Sequence, residues 1–277
     1  MQWEQMRPSD FEEFFADGND MCLVPVGSME RHGPHIPVGN DTLKGHRWCV
    51  DAAERVGVVT TPPFYLTHVP PATTAPGALN LDIPTLLDYF EKVCDEIGRN
   101  GFRRIVLVSA HGGNNVWLPG LVKDMACKNK PYMTFCYYVP LLSRPEEDTE
   151  LFSSAEAAGG HAGASESSIA LHLFGDLVDE EAMRELEPAY EHRRPYDVTP
   201  AQAPYDFVAS WPDLYHGNPA EATAQTGKRL YEHALEDLVA LLQRIRDADI
   251  EEMMRMREEL EACTRNPLGK DTGLEEK

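Results

Sequence analysis

The sequence predicts an α/β fold of three layers, α/β/α, around a mainly parallel central sheet. Three observations predict it. Short apolar runs at Met21 to Ser28 (MCLVPVGS), Arg104 to Ala110 (RIVLVSA) and Tyr132 to Val139 (YMTFCYYV) have the length of buried strands. The stretches between them carry apolar residues at helical spacing. Strands that alternate with helices argue for parallel pairing, with helices covering both faces of the sheet.

Each element has its own local reason. The run from Met21 ends in Gly27-Ser28, a turn. Asp41 to Val56 shows a helical pattern of small and apolar residues. Gly57 to Pro63 (GVVTTPP) reads as a second strand, closed by prolines. Tyr65 to Asn80 is rich in proline and glycine and reads as a long loop, a feature that is often functional inside a compact domain. Ile83-Pro84 opens a helix, because proline suits a first turn; Leu86, Leu87, Phe90, Val93 and Ile97 share one face, and Asn100-Gly101 stops it. After the strand from Arg104, a helix is expected from Asn114 to about Lys128. Ser143 to Gly160 is acidic and irregular, Ser165 to Phe174 is helical, and proline-rich Glu187 to Pro219 reads as an extended wrapping segment. Glu221 to about Ala262 forms one or two helices, the first amphipathic through Leu230, Leu235, Leu238 and Leu241. The organisation is therefore one catalytic domain over 1–250 and a charged C-terminal helix and tail over 251–277. That helix is expected to pack on a neighbouring subunit or remain solvated, with a frayed end at Lys277.

Composition narrows the function classes. The 277 residues carry a formal net charge of −21, and such a surface repels nucleic-acid phosphates and anionic lipid headgroups. The acidic N-terminus (MQWEQMRPSDFEEFFADG) has no basic and apolar signal pattern, and no apolar run approaches the roughly 20 residues that cross a bilayer. The six cysteines, Cys22, Cys49, Cys94, Cys127, Cys136 and Cys263, form no C-x-x-C pair and read as buried free thiols in a reducing cytoplasm. The expected partner is a small-molecule substrate, with no nucleic acid and no membrane.

Three segments carry chemistry. Gly27 to Asp41 (GSMERHGPHIPVGND) follows a strand and precedes a helix, the place where open parallel sheets bind ligands. Glu30 and His32, two apart on an extended path, point the same way. Asp41 adds a second carboxylate after the turn at Pro37 and Gly39. Carboxylates with neutral imidazoles suit zinc, manganese or iron, and a shared carboxylate can bridge two ions. The competing reading is a polar loop with incidental acids. Ser109 to Asn115 (SAHGGNN) puts His111 at a second strand end; Gly112 and Gly113 allow close backbone approach, and the following helix is positioned to offer N–H groups to an oxyanion. It reads equally well as a plain strand-to-helix turn capped by His111. Gly159 to Ser167 (GGHAGASES) offers His161 as a general base and Glu166 as a further ligand; Glu166 reads equally as a first-turn acid favoured by the helix dipole. His68 and His35 read as structural rather than as pocket or supporting residues. His46, His172, His192 and His233, with Trp48, Trp117 and Trp211, read as surface or packing groups.

Together GSMERHGPHIPVGND, the HGGNN turn and HAGASES resemble the creatininase (creatinine amidohydrolase) family, with a weaker echo at Gly217 to Leu230 (GNPAEATAQTGKRL); the likeness spans roughly 20–245. The resemblance implies a creatininase-like α/β/α domain, a site for two divalent metal ions (Zn, Mn or Fe) and a homo-oligomer, often a hexamer. Carried over, Glu30, Asp41 and His111 bind one metal, His32 and Asp41 the other, and Asp41 bridges. Creatininase takes a glutamate two positions after the later histidine; here that position is Gly113, and Glu166 is the candidate replacement. His161 matches the family's proton-transfer histidine. Gly112 in place of a tyrosine, Ala75-Pro76-Gly77-Ala78 in place of Phe-Pro-Gly-Thr, and no tryptophan between Ser143 and Gly160 point away from creatinine as substrate. The implied reaction is metal-assisted hydrolysis of a C–N bond in an amide, formamide or cyclic amide. The alternative is hydrolysis of a C–C bond in a cyclic diketone, or of a lactone.

Overall fold

The computed structural model describes residues 1–265 apart from 127, 192–195, 197, 199–200 and 202. Expectations for Cys127, His192 and the tail at 266–277 lie outside the described residues.

In chain order the elements are α1 (Pro8–Ala16), β1 (Met21–Val26), α2 (Asn40–Val56), β2 (Val59–Thr60), α3 (Ile83–Arg99), β3 (Arg104–Ser109), α4 (Leu118–Met125), β4 (Met133–Tyr138), α5 (Pro145–Thr149), α6 (Ala155–Ala158), α7 (Ala164–Phe174), α8 (Glu180–Arg184), α9 (Asp206–Ser210), α10 (Ala224–Asp247) and α11 (Ile250–Arg265). The strands form one parallel sheet in the order β2-β1-β3-β4. The chain leaves β1 toward one edge and later continues from β3 toward the other, so strand order reverses between them. That is where such sheets present a crevice at their carboxyl ends.

Alternation along the strands builds two cores. Met21, Leu23, Val106 and Val108 face α2 and α10, packing with Trp48, Ala52, Leu230, Leu235 and Leu238. Cys22, Val24, Val26, Ile105 and Leu107 face the other side, against Phe14, Leu86, Phe90, Trp117 and Leu121. Successive side chains of a strand point to opposite faces, so strands covered on both sides must be apolar throughout. Asp82 caps α3 by accepting from the Thr85 N–H at 3.0 Å.

Several local expectations are corrected. The strand expected over Gly57 to Pro63 shortens to Val59–Thr60, because Pro62 and Pro63 bring no N–H to the ladder. The helix expected from Asn114 splits into a 3-10 turn, Gly112–Val116, and α4. Pro119 explains the break, since its ring would clash with the carbonyl one turn back. The acidic stretch from Ser143 holds two short helices, α5 and α6. The proline-rich segment holds α9, and an antiparallel bridge between Ala189 and Gly217 ties its ends. The charged C-terminal helix lies on its own chain: Arg257 donates to the Tyr132 carbonyl at 3.0 Å, and the Glu261 carboxylate accepts from the Asn129 N–H at 2.8 Å. Cys22, Cys49 and Cys94 are buried thiols, but Cys263 is exposed. No helix among the described residues is long and apolar enough to cross a membrane.

Candidate metal centre

The register between β1 and β3 sets the site. Val26 stands opposite Ser109, so the chain leaving β1 carries Glu30 and His32 past the strand end beside His111, two residues beyond β3. Asn114 ties the two exits together, donating to the Val26 and Gly27 carbonyls at 3.3 Å each. The loop from β1 then returns to α2, whose first turn delivers Asp41. α7 brings Glu166 in its first turn. Ala162 precedes that helix at φ 51, a strained conformation for a residue with a Cβ, and its N–H reaches Glu166 Oε2 at 2.7 Å.

The predicted residues converge. His111 Nδ1 lies 2.9 Å from Glu30 Oε1 and 3.0 Å from Asp41 Oδ2. His32 Nε2 lies 3.3 Å from Asp41 Oδ1 and 3.5 Å from Glu166 Oε1. These contacts define two sets that share Asp41: Glu30, Asp41 and His111, and His32, Asp41 and Glu166. All five side chains are buried. His161 stacks on His32 with ring centroids 4.1 Å apart and places Nδ1 3.7 Å from Glu30 Oε1.

Each of these imidazoles is aimed from behind by a backbone carbonyl. His32 Nδ1 pairs with the Glu30 carbonyl at 3.1 Å, His111 Nε2 with the His68 carbonyl at 3.2 Å, and His161 Nε2 with the Arg31 carbonyl at 2.8 Å. A carbonyl only accepts, so the nitrogen facing it carries a hydrogen and the other nitrogen is turned inward, a donor to the carboxylates while the ring is protonated and a ligand once that proton is displaced. Histidines that bind metals are held in this way. His32 Nε2 finds no hydrogen-bond partner of ordinary geometry although it is fully buried. Inward imidazole nitrogens beside three buried carboxylates form a donor set of nitrogen and oxygen that fits a divalent cation.

Three further residues escaped sequence reasoning. Ser28 donates its hydroxyl to Asp41 Oδ2 at 2.6 Å, and Asn40 donates to Glu166 Oε1 at 3.0 Å. Lys44 is 1% exposed; its Nζ lies 2.7 Å from Asp41 Oδ1 and in direct contact with Glu166 Oε1. Helical periodicity carries the signal for Lys44, because it lies on the face of Asp41, Trp48 and Ala52, all of them buried. The hydroxyl of Ser28 at a strand end is the only hint for that residue.

Electrostatics follow from this packing. Burial opposes ionisation of Asp41, but Lys44 and then His32 outweigh it and hold its carboxyl well below the usual carboxylate range. Glu166 is lowered against burial by the same two groups, and Glu30 by His111 and then His161. Burial disfavours charge on His111, yet Glu30 and Asp41 raise its pKa to about 10. His161 moves the other way, lowered by burial and then by the nearby His32.

A cavity of about 520 Å³ opens above the site, lined by Glu30, His111 and His161 at its floor and by Val69, Val116 and Phe207 on its walls. His68 also lines it, contrary to its reading as purely structural. His35 lies beneath, its Nε2 2.8 Å from Ser167 Oγ. Gly113 is sterically required: a Cβ there would sit 2.3 Å from His111 Nε2 and 3.0 Å from the His68 carbonyl. The segment after His111 opens as a 3-10 turn rather than an α-helix, and the Asn114 N–H is used by the His111 carbonyl.

The chain is similar in sequence to proteins of known activity. Creatinine amidohydrolase of Pseudomonas putida is 27% identical over 205 residues, covering 69% of this chain and 78% of that protein. Mycofactocin precursor peptide peptidase of Mycolicibacterium smegmatis is 29% identical, over 76% and 79%. 3-Dehydro-scyllo-inosose hydrolase of Thermotoga maritima is 27% identical, over 90% and 88%. A solved structure of creatininase with Mn superposes with a TM-score of 0.76 at 22% identity, over 89% of this chain and 99% of that one, which bears on the fold alone. The sequence profile of the creatininase family, described as creatinine amidohydrolase, matches residues 4–242, and the chain is therefore a member of the creatininase family of hydrolases.

Proposed function

We propose that this protein is a metal-dependent hydrolase that cleaves a C–N bond of an amide, formamide or cyclic amide with a metal-activated water. The reading rests above all on the three imidazoles that each give one N–H to a backbone carbonyl and turn the other nitrogen inward at buried carboxylates. Glu30, Asp41 and His111 would hold one divalent ion, zinc, manganese or iron; His32, Asp41 and Glu166 offer a second cation position. When bound, such an ion polarises a carbonyl and lowers the pKa of water from about 15.7 toward about 7.

The protein's own groups do the rest. His161 keeps its Nε2–H on the Arg31 carbonyl, which leaves Nδ1 to accept a proton beside Glu30. Burial and His32 hold the ring neutral, so that nitrogen is free to take the proton and return it to the leaving nitrogen. Ser28 orients Asp41, and Asn40 with the Ala162 amide orients Glu166. Val69, Val116 and Phe207 offer apolar surface to a small neutral substrate.

The first test is chelation. Protein stripped of metal should lose hydrolysis of a panel of N-formyl and cyclic amides and regain it with Mn or Zn; an undiminished rate in the stripped protein would overturn the reading. Asp41→Ala should abolish metal retention. One observation favours a second reading: the relative named as an inosose hydrolase aligns over 90% of this chain. In that case the scissile bond is a C–C bond of a cyclic diketone, or a lactone, and product analysis across both panels distinguishes the two. The same proposal includes a single catalytic unit over 1–250 with 251–277 appended, a cytoplasmic location and a homo-oligomer, a hexamer by family likeness.

A further inference from the structure

We propose that the second cation of this site is Lys44 itself, so that the protein binds one divalent ion where its fold family is built for two. This rests on the metal-dependent reading above and refines it.

The geometry divides Asp41 between two neighbours. Its Oδ2 faces His111 Nδ1 and the Ser28 hydroxyl, on the side of Glu30. Its Oδ1 faces His32 Nε2 at 3.3 Å and Lys44 Nζ at 2.7 Å. Lys44 Nζ also touches Glu166 Oε1, the oxygen that His32 Nε2 faces at 3.5 Å. A cation held by His32, Asp41 and Glu166 must sit against these two oxygens, and the ammonium already does. No Lys or Arg among the described residues makes an ion pair with Glu30, the other carboxylate of the first set.

Charge leads to the same result. Glu30, Asp41 and Glu166 bring three negative charges into a buried space. One divalent ion and one ammonium neutralise them; two divalent ions beside the same ammonium leave an excess of positive charge. Charge buried without a partner is strongly disfavoured. Lys44 cannot leave easily either, because its whole side chain is buried and both its carboxylate partners lie in the site. Glu166 then acts as a positioning residue: it anchors the ammonium, while Asn40 and the Ala162 amide hold the carboxylate in place.

The test is metal stoichiometry, read without any substrate. Full-length protein reconstituted with excess Mn and freed of unbound ion should hold one equivalent by elemental analysis. Its Mn spectrum by electron paramagnetic resonance should be the six-line signal of an isolated ion. Lys44→Met, which keeps the chain length and removes the charge, should hold two equivalents, with the exchange-coupled signal of a pair. Two equivalents in the unaltered protein would overturn the proposal and leave the metal-dependent reading standing. No bound metal at all would overturn both. One equivalent in a folded Lys44→Met protein would show that something other than the ammonium excludes the second ion. If that variant does not fold, the unaltered protein's stoichiometry and spectrum decide the matter alone.

Discussion

At Gly227 α10 lies directly against the backbone of α7, and Gly227→Ala tests how tightly that contact governs the site. A Cβ at Gly227 would lie 1.8 Å from the Ser168 carbonyl oxygen and 2.3 Å from its carbon. Both are backbone atoms of α7, two residues beyond Glu166, and cannot swing aside as a side chain can. Restoring an ordinary 3.4 Å contact requires the helices to part by about 1.6 Å. A gap of 0.5–1 Å already forfeits about a quarter to a half of the dispersion energy of a contact. Leu230, Ala234 and Leu235 on α10 and Ile169 on α7 are fully buried and would lose packing together. Overpacking typically costs about 1–3 kcal/mol; the rigid obstacle places this case near about 3 kcal/mol. For a chain of this size that corresponds to a fall in Tm of roughly 6–12 °C. Thermal unfolding followed by circular dichroism, with a urea titration on the same variant, measures it. Metal affinity should fall as well, since α7 carries Glu166, which positions Lys44 against Asp41. A shift in Tm below about 2 °C would refute the claim that α10 and α7 are locked backbone to backbone.

Other expectations follow from the same geometry. The His111 pKa is raised to about 10 against an ordinary 6.5, so its interactions stabilise the metal-stripped protein fully below about pH 6.5 and are lost as pH rises through about 10. Melting of stripped protein should therefore decline over that range, and His111→Gln should flatten the decline; an unchanged slope in the variant argues against the pairing. Metal binding must displace that proton, so affinity measured by chelator competition should weaken as pH falls. Ser28→Ala removes the 2.6 Å hydroxyl donor from Asp41 and should weaken metal binding by about 10- to 100-fold in the same assay. His161→Asn should lower kcat by about 10²- to 10⁴-fold with metal content and Tm unchanged; loss of metal instead would make His161 a ligand rather than a proton carrier.

Much of the fold was legible because its strands are covered on both faces. β1 and β3 must then be apolar without interruption, and MCLVPV and RIVLVS read as strands unaided. Extent was less legible where proline governs it: β2 keeps only two residues, and the helix expected from Asn114 begins at Leu118. The C-terminal helix, expected on a neighbouring subunit or in solvent, touches its own chain. Its Arg257 and Glu261 are in fact buried and reach backbone groups around the start of β4. At the site, Glu30, His32, Asp41, His111, His161 and Glu166 were all nominated from the sequence, and the structure brings them together. Ser28, Asn40 and Lys44 were not, since serine, asparagine and lysine beside a turn or on a helix are ordinary surface residues until burial is known.

By itself the sequence determined which groups could do chemistry and which elements would carry them: carboxylates and imidazoles just past two apolar strands, and a glycine-rich entry to a helix. It also determined that Asp41 and Lys44, three apart on one helix, share a face. Only the tertiary structure decided what that face meets. Lys44 and Glu166 are separated by 122 residues, and their contact exists because α7 docks against the opening turns of α2. Hydrogen-bond and Coulomb energies depend on separation in space, which local pattern does not encode, and so the charge at the centre of the site emerged only from the packed chain.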